Sequence, residues 1–336
     1  MIFNTVDSQQ SLSASIFIIT SRGSYRPNRF MTAEVIAATE AVKKFVHDGQ
    51  LICFGGFTHG IPFAIGHEMI RQSKRHLSVC KETPDLIVDQ LLAAGCVDKL
   101  MFSWAGNPGV GSLHAFRRAV EQQVPHPVAI EEYTHFITGA RYLAGASGLP
   151  FMPVTTPVLS SDLAKYSDVF KTMDCPFTGK KICLVKAINP DVAIIHAQRT
   201  DREGNVQMWG IVGSNREIAM ASRHVIVSAE EIVDSEIIRR DPNRTVIPGF
   251  KVDAVIEEPW GAHPSYSQGY YDRDNQYYMD YERTTRTVEE HQKFLEEWVL
   301  TVSNRREYMK HLGAERMLSL KTRSYYSIPV DYGFFG

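Results

Sequence analysis

At residues 48–62 the chain reads DGQLICFGGFTHGIP, and the whole fold is read outward from this stretch. Leu51 to Phe54 form a short apolar run that passes directly into Gly55, Gly56 and Phe57. Such a run, bounded by glycine, is the pattern of a strand buried on both faces of a parallel sheet. Adjacent glycines let a backbone approach a ligand closely and adopt angles closed to other residues. Pro62 suits the first position of a helix, whose N-terminus presents free N–H groups and a positive dipole end to an anion. Glycine serving only the turn and glycine shaping a ligand site both fit this pattern.

The neighbouring sequence repeats the alternation. Apolar residues at Val35, Ile36, Ala38, Val42, Phe45 and Val46 predict a helix over 33–47, with Thr32 as its cap and Gly49 closing it. After strand 51–54 come helix 62–72, strand LSVC (77–80), helix 84–94 and strand KLMFS (99–103). Helix 112–121, strand VAI (128–130), helix 132–146 and strand FMPV (151–154) follow. This is the pattern of βαβ units on an open, doubly wound, mostly parallel α/β sheet. Right-handed crossovers then place loops 55–61 and 103–111 at the carboxyl edge, where ligands bind. Residues 155–180 lack periodicity and read as a surface excursion. Strands return at 182–187 and 191–198, RHVIVSAEEI (223–232) reads as a strand followed by a helix, and VDAVIEEP (252–259) as the last strand. Residues 288–320 read as C-terminal helices. With no repeat or linker in view, 31–336 is expected to be a single domain. Residues 1–30 are Ser-rich, carry Arg22, Arg26 and Arg29 against the single acid Asp7, and read as an N-terminal extension outside the fold.

Composition narrows the classes. Of 336 residues 44% are hydrophobic and 22% charged, with formal net charge −2, which is ordinary globular usage without a nucleic-acid or membrane footprint. Nothing approaches the ~18 consecutive apolar residues of a transmembrane helix. Cysteines 53, 80, 96, 175 and 183 form no CxxC, so reduced thiols in a cytoplasm are expected, with Cys53 and Cys183 as core fillers. No HExxH, HxH or GxSxG pattern occurs, so neither a metal site nor a serine elbow is signalled.

Three other stretches are candidates for chemistry. SWAGNPGVGS (103–112) has a phosphate-loop flavour but fits no nucleotide-binding spacing. IEEYTHFITGAR (130–141) places Glu131, Glu132 and His135 on one face of the expected helix, where an acid–imidazole pair can shuttle protons or polarise a carbonyl; a solvated helix start fits equally. His196 and His263 sit in apolar surroundings typical of satisfied core histidines. The tyrosine-dense segment 266–282 suits either a recognition surface or packed rings.

Taken together, these residues resemble the class I coenzyme A transferase family. DGQLICFGGFTHGIP is similar to its first signature. GLPFMPV (148–154), DVAIIHAQ (191–198), EGNVQMWG (203–210), EEIVDSEIIRRDP (230–242), IPGFKVDAVIEEPWGAHPS (247–265) and GYYDRDN (269–275) follow the order of the glutaconate CoA-transferase alpha type. The resemblance implies a NagB/RpiA-like α/β fold and a ping-pong enzyme that pairs an alpha with a beta subunit, as a heterotetramer or larger. It implies no tightly bound cofactor, with coenzyme A as a substrate. The beta subunit's nucleophilic glutamate attacks the acyl-CoA and passes through a glutamyl-CoA thioester; no SENG-like segment that would supply it occurs in this chain. The resemblance places Gly55, Gly56, Phe57 and Thr58 near the thioester. The spacer after GGF is one residue shorter than usual. Counting back from LPF at 149–151 puts His135 where transferases carry a glutamine, making it the candidate oxyanion donor or base. A histidine there also suits a hydrolase or C–C lyase of a CoA-linked diacid on the same scaffold. Arg141 and Arg117 are candidates to receive a distal substrate carboxylate.

Overall fold

In the computed structural model, which describes residues 33–107 and 109–322, strands β1 to β13 occur in chain order. They are β1 (Glu34–Val35), β2 (Leu51–Phe54), β3 (Leu77–Cys80), β4 (Val97–Phe102), β5 (Ala129–Glu132), β6 (Phe151–Val154) and β7 (Phe170–Asp174). Then come β8 (Lys181–Lys186), β9 (Val192–Asp201), β10 (Val206–Gln207), β11 (His224–Val233), β12 (Thr245–Ile247) and β13 (Ala254–Glu257). The extension expected at 1–30 lies outside the described residues.

The main sheet runs β1-β13-β11-β9-β2-β3-β4-β5, and every neighbouring pair in that order is parallel. From β2 the chain winds outward through β3, β4 and β5; from β9 it winds the other way through β11 and β13. The order therefore reverses between β2 and β9, where Ile52 lies opposite Val192 and Phe54 opposite Ile194. Such a reversal opens a crevice at the carboxyl ends of the two strands, and the double glycine leaves the sheet there.

Side-chain alternation explains why LICF forms a central strand. Ile52 and Phe54 enter one core with Val79, Leu100, Val192 and Ile194, beneath helices Phe63–Arg71 and Leu86–Ala93. Cys53 points into the opposite core with Ala193, Ile195, Val225, Val227 and Tyr142. Full burial of each large apolar side chain contributes about 1.5–3 kcal/mol, so both faces hold β2 in register. The second helix begins at Asp85, whose carboxylate accepts from the Ile87 N–H at 3.3 Å.

Several expectations are corrected. The stretch from Ala33 is not yet helix: Glu34 and Val35 pair with Ala254 and Val255 as an edge strand, and the helix spans Ala38–Phe45. Hydrogen bonds from Glu34 N–H to Asp253 and from Ile36 N–H to Val255 outweigh the helical stripe. Gly49, at φ +81°, sits in the turn into β2 rather than at that helix end. Pro62 is the cap residue, one position before its helix. FMPV does not extend the parallel sheet; it forms the edge of a separate antiparallel sheet, β6-β8-β7, an edge being where Pro153 can be tolerated. The excursion supplies β7 and the short helix Asp162–Tyr166. RHVIVSAEEI is one long strand, because pairing to β9 continues through Glu231, Ile232 and Val233. The C-terminal region is helical over Val288–Leu295, Arg305–Leu312 and Ala314–Leu320, with a π-turn at Glu296–Leu300.

Candidate active site

The double glycine is fixed from two sides. Gly55 N–H donates to Ile194 at 2.9 Å, continuing the ladder past the end of β2. Gly56, at φ +83°, donates its N–H to Asn215 Oδ1 at 3.1 Å, while Asn215 Nδ2 donates to the Val212 carbonyl at 2.7 Å. A Cβ on Gly55 would fall 2.1 Å from Asn215 Oδ1, and one on Gly56 would fall 2.8 Å from the Gly60 carbonyl oxygen. Lys81, fully buried, donates from Nζ to the Gly56 carbonyl at 2.5 Å and to that of Gly55 at 3.4 Å. Its remaining charge faces Asp85 Oδ2 at 3.4 Å. An ammonium in this position binds the loop's carbonyls on the protein side. Thr58 also takes positive φ, +57°, so the turn after Phe57 is tight.

Phe57 meets His135 edge-on, with ring centroids 5.7 Å apart. His135 opens helix His135–Ala146, capped by Thr134, whose hydroxyl accepts from Ile137 N–H at 3.2 Å. The imidazole is exposed, and its Nε2 lies 3.1 Å from Thr83 Oγ1. Glu131 and Glu132 do not share its helix face, because both belong to β5, which pairs with β4 through Glu132. Glu131 instead accepts from the Tyr133 hydroxyl at 2.7 Å and pairs with Lys99. The expected acid partner of His135 is therefore replaced by the segment after β3.

There Glu82 Oε1 accepts from Ser214 Oγ at 2.7 Å. Burial pushes its carboxyl above the ordinary glutamate value, against the Ser214 hydrogen bond and the nearby His135. Glu82, Ser214 and Asn215 line a small cleft beneath the rim together with Gly56 and Phe57. Lys81, Glu82, Thr83, Ser214 and Asn215 are not among the residues expected from the sequence. The available signal was position: KET stands at the carboxyl end of β3, beside β2, and SN opens helix Asn215–Ala221.

The other candidates lie elsewhere. His196 is buried between Ser228 Oγ at 2.9 Å and Glu230 Oε1 at 2.7 Å. His263 is buried between Tyr308 and Asp274. Tyr266, Tyr271, Tyr277, Tyr278 and Tyr281 are buried, so the tyrosine-dense segment is packed rings. In SWAGNPGVGS, Gly111 packs on the Glu282 side chain of helix Asn275–Thr284, where a Cβ would come within 2.3 Å. Cys53 and Cys183 are buried as expected. Among the described residues no group of three or more His, Cys, Asp or Glu is placed to hold a metal ion, and no helix is long and apolar enough to cross a membrane.

The reversal of a parallel sheet is where open α/β proteins bind ligands, and comparison makes the class of this protein specific. Residues 35–258 match the family model described as Coenzyme A transferase. The chain is 46% identical over 267 residues to the A subunit of 3-oxoadipate CoA-transferase from Pseudomonas knackmussii, covering 80% of this chain and 94% of that protein. Its fold superposes on the crystal structure of glutaconate coenzyme A-transferase from Acidaminococcus fermentans with TM-score 0.79 and 34% identity, covering 87% of this chain and 96% of the other. The decarboxylase AibA/AibB is also similar, with TM-score 0.69 and 30% identity over 79% of this chain and 99% of that one. The chain belongs to the coenzyme A transferase family.

Proposed function

We propose that this chain works as the alpha subunit of a two-chain CoA-transferase that moves CoA between an acyl-CoA and a carboxylic acid. The observation that carries the reading is the rim: Lys81 and Asn215 hold Gly55 and Gly56 at the crevice, next to Phe57 and His135. The beta subunit's glutamate carboxylate attacks the thioester carbonyl, the C–S bond breaks, and CoA leaves as thiolate from an acyl–glutamyl anhydride. The thiolate attacks the glutamyl carbonyl, the anhydride C–O bond breaks, and the acyl carboxylate departs. An acceptor carboxylate then runs the steps in reverse.

This chain's share is positioning and charge stabilisation. Gly55, Gly56, Phe57 and Thr58 bring backbone close to the thioester. His135 Nε2 is within hydrogen-bond distance of the Thr83 hydroxyl; in the tautomer in which that hydroxyl donates, the Nδ1–H is the group offered to the oxyanion that forms at each attack. Coenzyme A serves as a substrate and no tightly bound cofactor takes part. The assembly is a heterotetramer or larger, acting in the cytoplasm, and 31–336 forms its single transferase domain.

A hydrolase or C–C lyase acting on a CoA-linked diacid is the second reading. It is favoured by the acid–imidazole juxtaposition of Glu82 and His135 and by the likeness to the decarboxylase. The two are separated by mixing this chain with its beta partner and following CoA between two acids. Exchange without net thioester loss supports transfer; steady thioester loss without an acceptor supports hydrolysis. In the transferase, His135→Ala lowers turnover roughly tenfold to a thousandfold, the range for one lost oxyanion donor, and an unchanged rate removes His135 from the site.

A further inference from the structure

We propose that His59 is a positioning residue of this site: it latches residues 211–213 to the rim, and that stretch holds Phe57 and Gly56 in their working places. The inference rests on the transferase reading above. His59 stands in the turn after Phe57 and is buried, 1% exposed. Both of its ring nitrogens are occupied. The Gln268 backbone N–H donates to Nε2 at 3.1 Å, a position shared with the Gln198 side-chain amide at 3.2 Å. Nδ1 lies 3.1 Å from the Ile211 carbonyl oxygen. A backbone N–H can only donate and a carbonyl can only accept, so Nε2 is bare and the proton sits on Nδ1. Burial lowers the ring to about 4, which keeps it neutral in this role near pH 7.

The latched stretch reaches the rim at two further points. The Val212 carbonyl accepts from Asn215 Nδ2 at 2.7 Å, which turns Asn215 Oδ1 toward the Gly56 N–H at 3.1 Å. Gly213 packs on Phe57, where a Cβ would lie 3.4 Å from the Phe57 Cβ. Phe57 in turn meets His135 edge-on. The stretch is bounded by Gly210 at φ +85° and Gly213 at φ +56°, so contacts rather than local backbone preference set its path. The hydrogen bond from His59 ties it to the rim turn. Without that donor the stretch is free to shift, and its contacts to Asn215 and Phe57 shift with it. A misplacement of about 1 Å around a reacting centre can cost about a hundredfold in rate.

The test separates the two nitrogens. His59→Asn places an amide donor near the Nδ1 position and loses the acceptor, whereas His59→Gln places a carbonyl acceptor near the Nε2 position and loses the donor to Ile211. Both variants disturb a buried cluster, so a merely structural role lowers stability in both and leaves their kcat values alike. The proposal expects His59→Gln, assembled with the beta partner, to lose about tenfold or more in kcat for CoA exchange with KM little changed. The conservative His59→Asn is expected to recover most of that loss. A His59→Asn kcat no higher than that of His59→Gln, a wild-type kcat in His59→Gln, or a loss confined to KM overturns the proposal. Where His59→Gln fails to assemble, Gly213→Ala strains the same stretch against Phe57 at positive φ. A kcat loss there supports the proposal, and an unchanged kcat overturns it. If the wild-type assembly moves no CoA, the transferase reading fails, and amide hydrogen exchange of the peptide containing 211–213 still reads the latch. Exchange at least about tenfold faster in His59→Gln than in His59→Asn supports it, and equal rates overturn it.

Discussion

Lys81 Nζ lies 2.5 Å from the carbonyl oxygen of Gly56, with the whole lysine sealed from solvent. A buried ammonium is expensive unless its donors are satisfied, and here the satisfaction comes from the rim itself and from Asp85. The same contact stabilises the fold and aims the loop. Lys81→Met strands the Asp85 carboxylate and two glycine carbonyls, and is expected to cost about 3–5 kcal/mol of stability. Urea unfolding measures this, and an unchanged midpoint would show that the rim does not depend on the lysine.

The glycine requirement is positional. Gly56→Ala combines positive φ with a Cβ 2.8 Å from the Gly60 carbonyl, whereas Gly148, at φ +68°, has nothing within 4 Å of its Cβ position. Gly148→Ala is expected to cost about 1–2 kcal/mol in stability, with CoA exchange retained. Gly56→Ala must move the rim backbone and is expected to abolish measurable exchange by the assembled enzyme. Equal activities for the two variants would separate the rim from the chemistry.

Much of this was legible from the residues. The run LICF between a turn and two glycines identified β2, and the βα alternation through Ala146 identified the parallel sheet, because period and punctuation agree there. The failures share a cause. Glu34, Glu131 and Glu230 carry helical local patterns, yet each is drawn into a strand by pairing with distant chain: Glu34 with Ala254, Glu131 with Met101, and Glu230 within the β9–β11 register. Sheet pairing partners are not written locally. The site divides in the same way. Gly55, Gly56, Phe57 and His135 were candidates from the sequence, and the fold brings their two stretches of chain together at the Phe57–His135 contact. Lys81, Glu82 and Ser214 acquire their roles only when β3 and helix Asn215–Ala221 flank β2.

Thr83 is expected to act through His135. Thr83→Val removes the partner of Nε2 while keeping the side chain's shape. It should lower kcat by about tenfold with little change in KM, since orientation of an oxyanion donor matters in the transition state. A KM rise with kcat intact would place Thr83 in ground-state binding instead.

Buried imidazoles make the fold acid-sensitive. Burial lowers His291 to about 3, and it lies between Arg118 and the Tyr281 hydroxyl. In the unfolded chain it titrates near ~6.5, so between about pH 6.5 and 3 the unfolded state binds the extra proton and stability falls as pH falls. At pH 5 this loss is on the order of 2 kcal/mol. His291→Phe lacks this linkage, so its stability deficit at pH 7 should shrink by about that amount at pH 5. A deficit independent of pH would contradict neutral burial of His291.

The central claim is that this chain shapes the crevice while a second polypeptide performs the covalent step. Intact mass spectrometry of both chains, after the assembled enzyme is incubated with acyl-CoA and no acceptor, tests it most directly. The account predicts a CoA adduct only on the beta partner, with this chain at its unmodified mass. An adduct on this chain, or full turnover by this chain in isolation, would contradict it.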